Sequence, residues 1–273
     1  MVISDVSVSD DPGLALTAAL AGARVIRSLY GDDLPRFDKG GGDFATAADL
    51  AAEEAILGVL RAARPQDAVT GEESGASGDA GAARRWLVDP LCGTLNYAVR
   101  NMLVGVNVAL SEGGTITAAA TADPFSGEVF WTDGKRSAVR CEEQGQARDT
   151  PLVPSALSRL VDINLDAPDP YAPDFRAARL IADPGFAVRF RPRVVSTTLA
   201  VAWVAAGRRA AYVTDGDLRD SVHFAAGIAL CRDAGCVVSG IEGQPLHTGA
   251  GGLIVAADAE THGALVELVR RQG

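Results

Sequence analysis

Apolar residues recur at three- and four-residue steps through Leu16, Leu20, Ala23 and Ile26, the spacing of one buried helical face. With Asp11-Pro12 ahead of them, an aspartate near the cap and a proline in the first turn, the pattern predicts a helix over 11–30. A glycine run at 40–42 breaks the chain. Thr46-Ala-Ala-Asp49 then has the form of a capping box opening a second helix to about Ala63, which Arg64-Pro65 stops. From Ala68 the period shortens. Runs at 68–70, 86–88, 103–110, 115–122 and 128–132, separated by Gly, Pro, Asp or Ser turns, predict strands. The polar, proline-containing stretch 145–158 is the expected boundary between an N-terminal α+β domain, 1–150, and a C-terminal α/β domain, 151–273. In the second, predicted strands at 161–165, 210–213 and 253–257 interleave with helices at 174–181, 197–206, 222–233 and 261–271. Interleaved elements of both kinds imply an α+β or α/β fold in two or more layers.

Composition narrows the class. The 273 residues are 48% hydrophobic and 22% charged, enough to bury a sizeable core, which excludes a disordered chain. No apolar run approaches the ~18 residues of a membrane span. The acidic start MVISDVSVSDDPG lacks the basic and apolar regions of a signal peptide, so a cytoplasmic protein with no membrane partner is expected. A net charge of −10 argues against a nucleic-acid partner. It leaves small anionic substrates open, because a bound divalent cation inverts the local sign. Cys92, Cys141, Cys231 and Cys236 show no CxxC pair and read as reduced thiols.

Three acidic segments carry candidate chemistry: Asp43 to Asp49, Gly71-Glu72-Glu73-Ser74, and Trp86 to Tyr97. Most such carboxylates are solvated turn residues. Asp89 stands apart because it follows an apolar strand and precedes Pro90 and a Gly93-Thr94 turn. A carboxylate at a strand's end is a common ligand placement in α/β folds, and the turn offers N–H groups and a hydroxyl for a phosphate oxygen or a metal-bound water.

Together these segments resemble the inositol monophosphatase family, which includes the fructose-1,6-bisphosphatases. The family's Asp-Pro-Leu-Asp-Gly-Thr is matched by Asp89-Pro90-Leu91-Cys92-Gly93-Thr94, and its Gly-Glu-Glu by Gly71-Glu72-Glu73. Lys39, Asp43, Thr46, Asp49 and Glu53 match upstream, and Ala122-Asp-Pro124 and Gly127-Glu-Val-Phe130 downstream. The resemblance implies a layered αβαβα sandwich and a homodimer. It implies Mg²⁺-dependent hydrolysis of a phosphate monoester of a small metabolite: a sugar phosphate, a nucleotide or an inositol-phosphate-like compound. Glu72, Asp89 and the Leu91 carbonyl are the implied ligands of one ion. Thr94 orients the attacking water with Asp49 in support, which makes Glu72, Thr94 and Asp49 the catalytic set. Gly93, Thr94, Arg208 and Thr214 fall on the substrate side. Glu73 reads as an outward turn residue.

Two implied ligands depart from the family pattern. The second Asp of its motif is Cys92, and an Asp further along is His223. Three outcomes stay open. Glu72, Asp89, Cys92 and His223 bind a softer ion such as Zn²⁺, Mn²⁺ or Fe²⁺; one Mg²⁺ remains at Glu72, Asp89 and Leu91; or the chain is an impaired or repurposed member with a binding, regulatory or biosynthetic role.

Overall fold

The computed structural model describes residues 10–40, 42–166 and 176–272. The chain divides into two compact units, 1–151 with 221–230, and 152–220 with 231–273.

The first unit opens with α1 (Asp11–Ser28), whose cap is Asp10: its carboxylate accepts the Gly13 N–H at 2.8 Å. The segment around the glycine run folds back as a hairpin of β1 (Arg36–Gly40) and β2 (Asp43–Thr46). Its exposed, polar β1 has no apolar face for a periodicity to report. Then come α2 (Ala47–Ala63), β3 (Ala68–Gly71), β4 (Gly75–Ser77), β5 (Arg84–Cys92), the short α3 (Thr94–Ala98), β6 (Gly105–Glu112), β7 (Thr115–Ala122), β8 (Val129–Thr132), β9 (Ser137–Glu143) and β10 (Gln146–Pro151). The eight-stranded sheet runs β10-β9-β8-β7-β6-β5-β3-β4, antiparallel except where β3 pairs with β5. β10, inside the stretch read as a boundary, is a polar edge strand, which alternation of apolar residues cannot signal. Helices α1 and α2 share one core with this sheet, built on Leu14, Ile26, Ile56, Trp86, Val106 and Trp131. Gly22 lets the two helices approach, since a Cβ there would lie 2.7 Å from Ile56 Cδ1.

The second unit holds β11 (Leu160–Ile163), α4 (Arg176–Ala182), α5 (Pro184–Arg189), β12 (Arg191–Val194), α6 (Leu199–Ala205), β13 (Ala211–Thr214), the end of α7 (Ala225–Ala234), β14 (Val237–Ser239), β15 (Leu253–Ala256) and α8 (Ala259–Arg270). Its five-stranded sheet is ordered β12-β11-β13-β15-β14, with β11 parallel to both neighbours. Residues of α4, α5 and α8 pack with β11, β13 and β15 in one core. The expected helix over 174–181 begins outside the described residues; its described part is α4.

The helix α7 (Ala225–Ala234) departs from a simple two-part chain. Residues 221–230 group with the first unit rather than with 151–273, because Ala226 and Ala229 pack on Leu87, Ala109 and Ala119 of the large sheet. Each unit is thus a mixed sheet backed by helices, within the α+β or α/β classes that the interleaved pattern implies. No described helix is long and apolar enough to cross a membrane.

Candidate functional site

The site is built on the end of β5. Asp89 is fully buried there, and its cross-strand partner is Asn107 on β6, which in turn faces Thr121 on β7. The three side chains form a directed chain: Thr121 Oγ1 donates to Asn107 Oδ1 at 2.8 Å, and Asn107 Nδ2 donates to Asp89 Oδ2 at 3.3 Å. The Leu91 N–H donates to Asp89 Oδ1 at 3.1 Å. Between Asp89 and Cys92 the register against β6 slips, a bulge of the kind that re-aims groups beside active sites. Gly93 follows at φ 101°, a left-handed conformation that glycine adopts without a Cβ penalty.

The capping box of α2 fixes the second component. Asp49 Oδ2 accepts from the Thr46 N–H at 2.7 Å and from Thr46 Oγ1 at 2.6 Å. Its other oxygen accepts from Thr94 Oγ1 at 2.9 Å, closer than the 3.2 Å from that hydroxyl to the Leu91 carbonyl. Burial pushes the Asp49 carboxyl up, and the donors from Thr46 and Thr94 oppose that shift. With its single hydrogen committed to Asp49, the Thr94 hydroxyl presents lone pairs that can receive a proton of a water molecule.

Glu72 follows β3. Its Oε1 accepts from Lys39 Nζ at 3.0 Å, and its buried Oε2 has no hydrogen-bond partner among the described residues. Burial first, and the Asp89 charge second, push Glu72 up to about 8 against the opposing charges of His223 and Lys39. Glu73 is not an outward turn residue. Its side chain is 6% exposed and takes the same lysine at 2.7 Å. Burial alone would lower Lys39, but Glu73 and Glu72 outweigh it and raise the ammonium above its ordinary value. Beneath the turn, Glu53 accepts the N–H groups of Glu73 and Ser74 at 2.9 and 2.8 Å. A Cβ on Gly71 would lie 2.6 Å from that carboxylate, which explains the glycine ahead of the two glutamates.

His223, in the turn before α7, closes the site. Its Nδ1 is 2.8 Å from Asp89 Oδ2 and 4.0 Å from Glu72 Oε2. Burial works to lower the ring's affinity for a proton, but Asp89 and Cys92 more than reverse this and push His223 up to about 12. Asp89, Cys92 and His223 each offer a ligand atom, and the three lie within 4.8 Å of one another.

These residues suit a divalent cation. A buried carboxylate oxygen without a donor on Glu72, next to a second carboxylate, is what a cation relieves. Glu72, Asp89 and the Leu91 carbonyl are hard oxygen donors of the kind magnesium takes, whereas Cys92 and His223 are not.

The remaining sequence candidates lie in the second unit. Thr214 is buried at the end of β13, its hydroxyl 3.4 and 3.3 Å from the carbonyls of Asn164 and Asp215, so it serves the backbone locally. Arg208 is exposed after α6. Its neighbour Arg209 pairs with buried Asp162 at 2.7 Å and lies over the Trp203 ring. Asn107 and Thr121 are functional candidates that the sequence reading missed. Part of their signal was present: Asn107 is the single polar residue inside the apolar run 103–110, and it pairs across the sheet with Thr121 in the run 115–122.

A profile of the inositol monophosphatase family matches residues 12–273. An inositol-1-monophosphatase of Caulobacter vibrioides is 29% identical over 265 residues, covering 93% of this chain and 99% of its own length. The Nus factor SuhB of Salmonella typhimurium is 31% identical over 251 residues, with 88% and 89% covered. The solved structure of the extragenic suppressor protein SuhB from Bartonella henselae matches with a TM-score of 0.78 at 25% identity, over 95% of this chain and 98% of that one.

Proposed function

The chain belongs to the inositol monophosphatase family, and from that premise we propose that it is a metal-dependent phosphatase acting on the phosphate monoester of a small metabolite. The observation that carries the reading is the convergence of Asp49-held Thr94 with Glu72, Asp89 and the Leu91 carbonyl. Glu72, Asp89 and Leu91 would hold the metal. When bound, such an ion lowers the pKa of water and stabilises charge on the phosphoryl and leaving oxygens. The chain's own contribution is orientation. Asp49 fixes the Thr94 hydroxyl as an acceptor for one proton of the attacking water, Gly93 and Thr94 face the phosphate, and Lys39 holds Glu72 in place. The Thr121–Asn107 chain holds Asp89 in one rotamer. A sugar phosphate, a nucleotide and an inositol phosphate are the substrate candidates.

A second reading, an impaired or repurposed binding protein, has one observation in its favour. Asp89 Oδ2 already carries His223 at 2.8 Å, so an ion held by Glu72, Asp89 and Leu91 competes with the imidazole for that oxygen. Measuring phosphate release from the three substrate classes, each with Mg²⁺, Mn²⁺ and Zn²⁺, separates the readings. Turnover with at least one pair supports the phosphatase; silence across all pairs in folded protein supports the second reading.

A further inference from the structure

We propose that Asp89, Cys92 and His223 form a coordination site for a borderline transition-metal cation of the zinc class, and that magnesium does not occupy this position. The inference rests on the reading of the site as metal-dependent and deepens it by naming the ion taken on the Cys92 and His223 side of Asp89.

Magnesium demands a near-octahedral shell of oxygens. A thiolate and an imidazole beside one carboxylate instead suit Zn²⁺ or Co²⁺. The donor atoms lie within 4.8 Å of one another, and a tetrahedral site with bonds of about 2.0–2.3 Å needs donors roughly 3.3–3.8 Å apart. Closing the set requires side-chain shifts on the order of an ångström, including a slight opening of the 2.8 Å His223–Asp89 contact. A further carboxylate oxygen stands beside the three donors. Glu72 Oε2 is buried, lacks a hydrogen-bond partner among the described residues, and lies 4.0 Å from His223 Nδ1. Asp89 is held by Leu91 N–H and by the buried Asn107–Thr121 chain, the outer partners a metal-ligating carboxylate needs. The His223 side chain is 41% exposed, which leaves an entry path. On binding, the Cys92 S–H proton and the proton shared between His223 and Asp89 pass to solvent, and no oxidation state changes.

The test uses the full chain stripped with a chelator and titrated with Co²⁺ as an optical probe. The expected result is a near-ultraviolet thiolate-to-cobalt band that saturates at one equivalent. Equimolar Zn²⁺ should displace it, and a thousandfold excess of Mg²⁺ should not. Cys92→Ser should abolish the band although Cys141, Cys231 and Cys236 remain, and His223→Ala should weaken Co²⁺ binding at least about 100-fold. The double variant Cys92→Asp, His223→Asp should lose the band and gain Mg²⁺ affinity at least about tenfold, since it restores two anionic oxygens. A second measurement needs no variant: Zn²⁺, and not Mg²⁺, should protect Cys92 in the native chain from alkylation. No band, a band that survives Cys92→Ser, or equal protection by both ions overturns the proposal. Mg²⁺-dependent phosphate release without a cobalt–thiolate band leaves the phosphatase standing and removes this site. A band without turnover for any ion keeps the site and removes the phosphatase.

Discussion

Asp89 is the residue on which the site's contacts meet: a backbone N–H on one oxygen, and Asn107 and His223 on the other. A neutral amide keeps the shape and removes the charge. Asp89→Asn is therefore expected to lower kcat/KM about 1000-fold, or ~4 kcal/mol of transition-state stabilisation, in a phosphate-release assay. Near wild-type turnover would show that the ligand assignment is wrong. The adjacent glutamates differ in what they face. Glu72 Oε2 points at the acidic cluster and His223, whereas Glu73 ends on Lys39. Glu72→Gln should cost at least about tenfold more activity than Glu73→Gln. Equal losses would mean that Lys39 couples the two, or that the ligand is misassigned by one residue.

At the level of elements, the site depends on how tightly the turn after β3 sits on α2. Gly71 faces the Glu53 carboxylate with no room for a methyl group, and that carboxylate satisfies two N–H groups of the turn. Gly71→Ala should displace Glu53 and cost about 2–3 kcal/mol, read as a lower urea midpoint at unchanged m-value. A loss under ~0.5 kcal/mol would show that the turn is looser than its hydrogen bonds imply. The three-strand row Asp89–Asn107–Thr121 makes a separate prediction. Asn107→Ala should weaken metal binding about 10–100-fold by calorimetric titration while the near-ultraviolet circular dichroism is kept. Unchanged affinity would reduce the row to packing.

For the whole molecule, pH dependence reaches beyond the site. Burial pushes Asp162 above its ordinary 3.8, and Arg209 only partly opposes this. The folded chain therefore holds a proton that the unfolded chain releases. That contribution is complete below about pH 3.8 and is lost as pH rises through the higher folded value. Asp162→Asn removes the slope, so its stability should rise relative to the wild type as pH increases through that window. Urea midpoints at stepped pH check it, and a constant or opposite difference would sink it. The candidate metal site and this pair lie in different compact units, so their effects are expected to add.

Periodicity and capping determined much of this protein in advance. The three-to-four spacing marked α1, and the Thr46 to Asp49 capping box marked α2 and set Asp49 where Thr94 meets it. Ordered motifs carried the family resemblance and brought Glu72, Asp89, Cys92 and His223 into question, because each lies in a short stretch whose residue types are chemically restrictive. Strand β1 and the edge strand β10 left no such mark, since exposed polar strands have no apolar face to alternate. Nor does a linear pattern report which buried polar groups meet. Only the sheet register set Asn107 and Thr121 behind Asp89, and only packing of 221–230 on Leu87, Ala109 and Ala119 carried His223 to that carboxylate. These contacts join residues far apart in the chain, and what decides them is the requirement that buried charges find partners inside a close-packed interior.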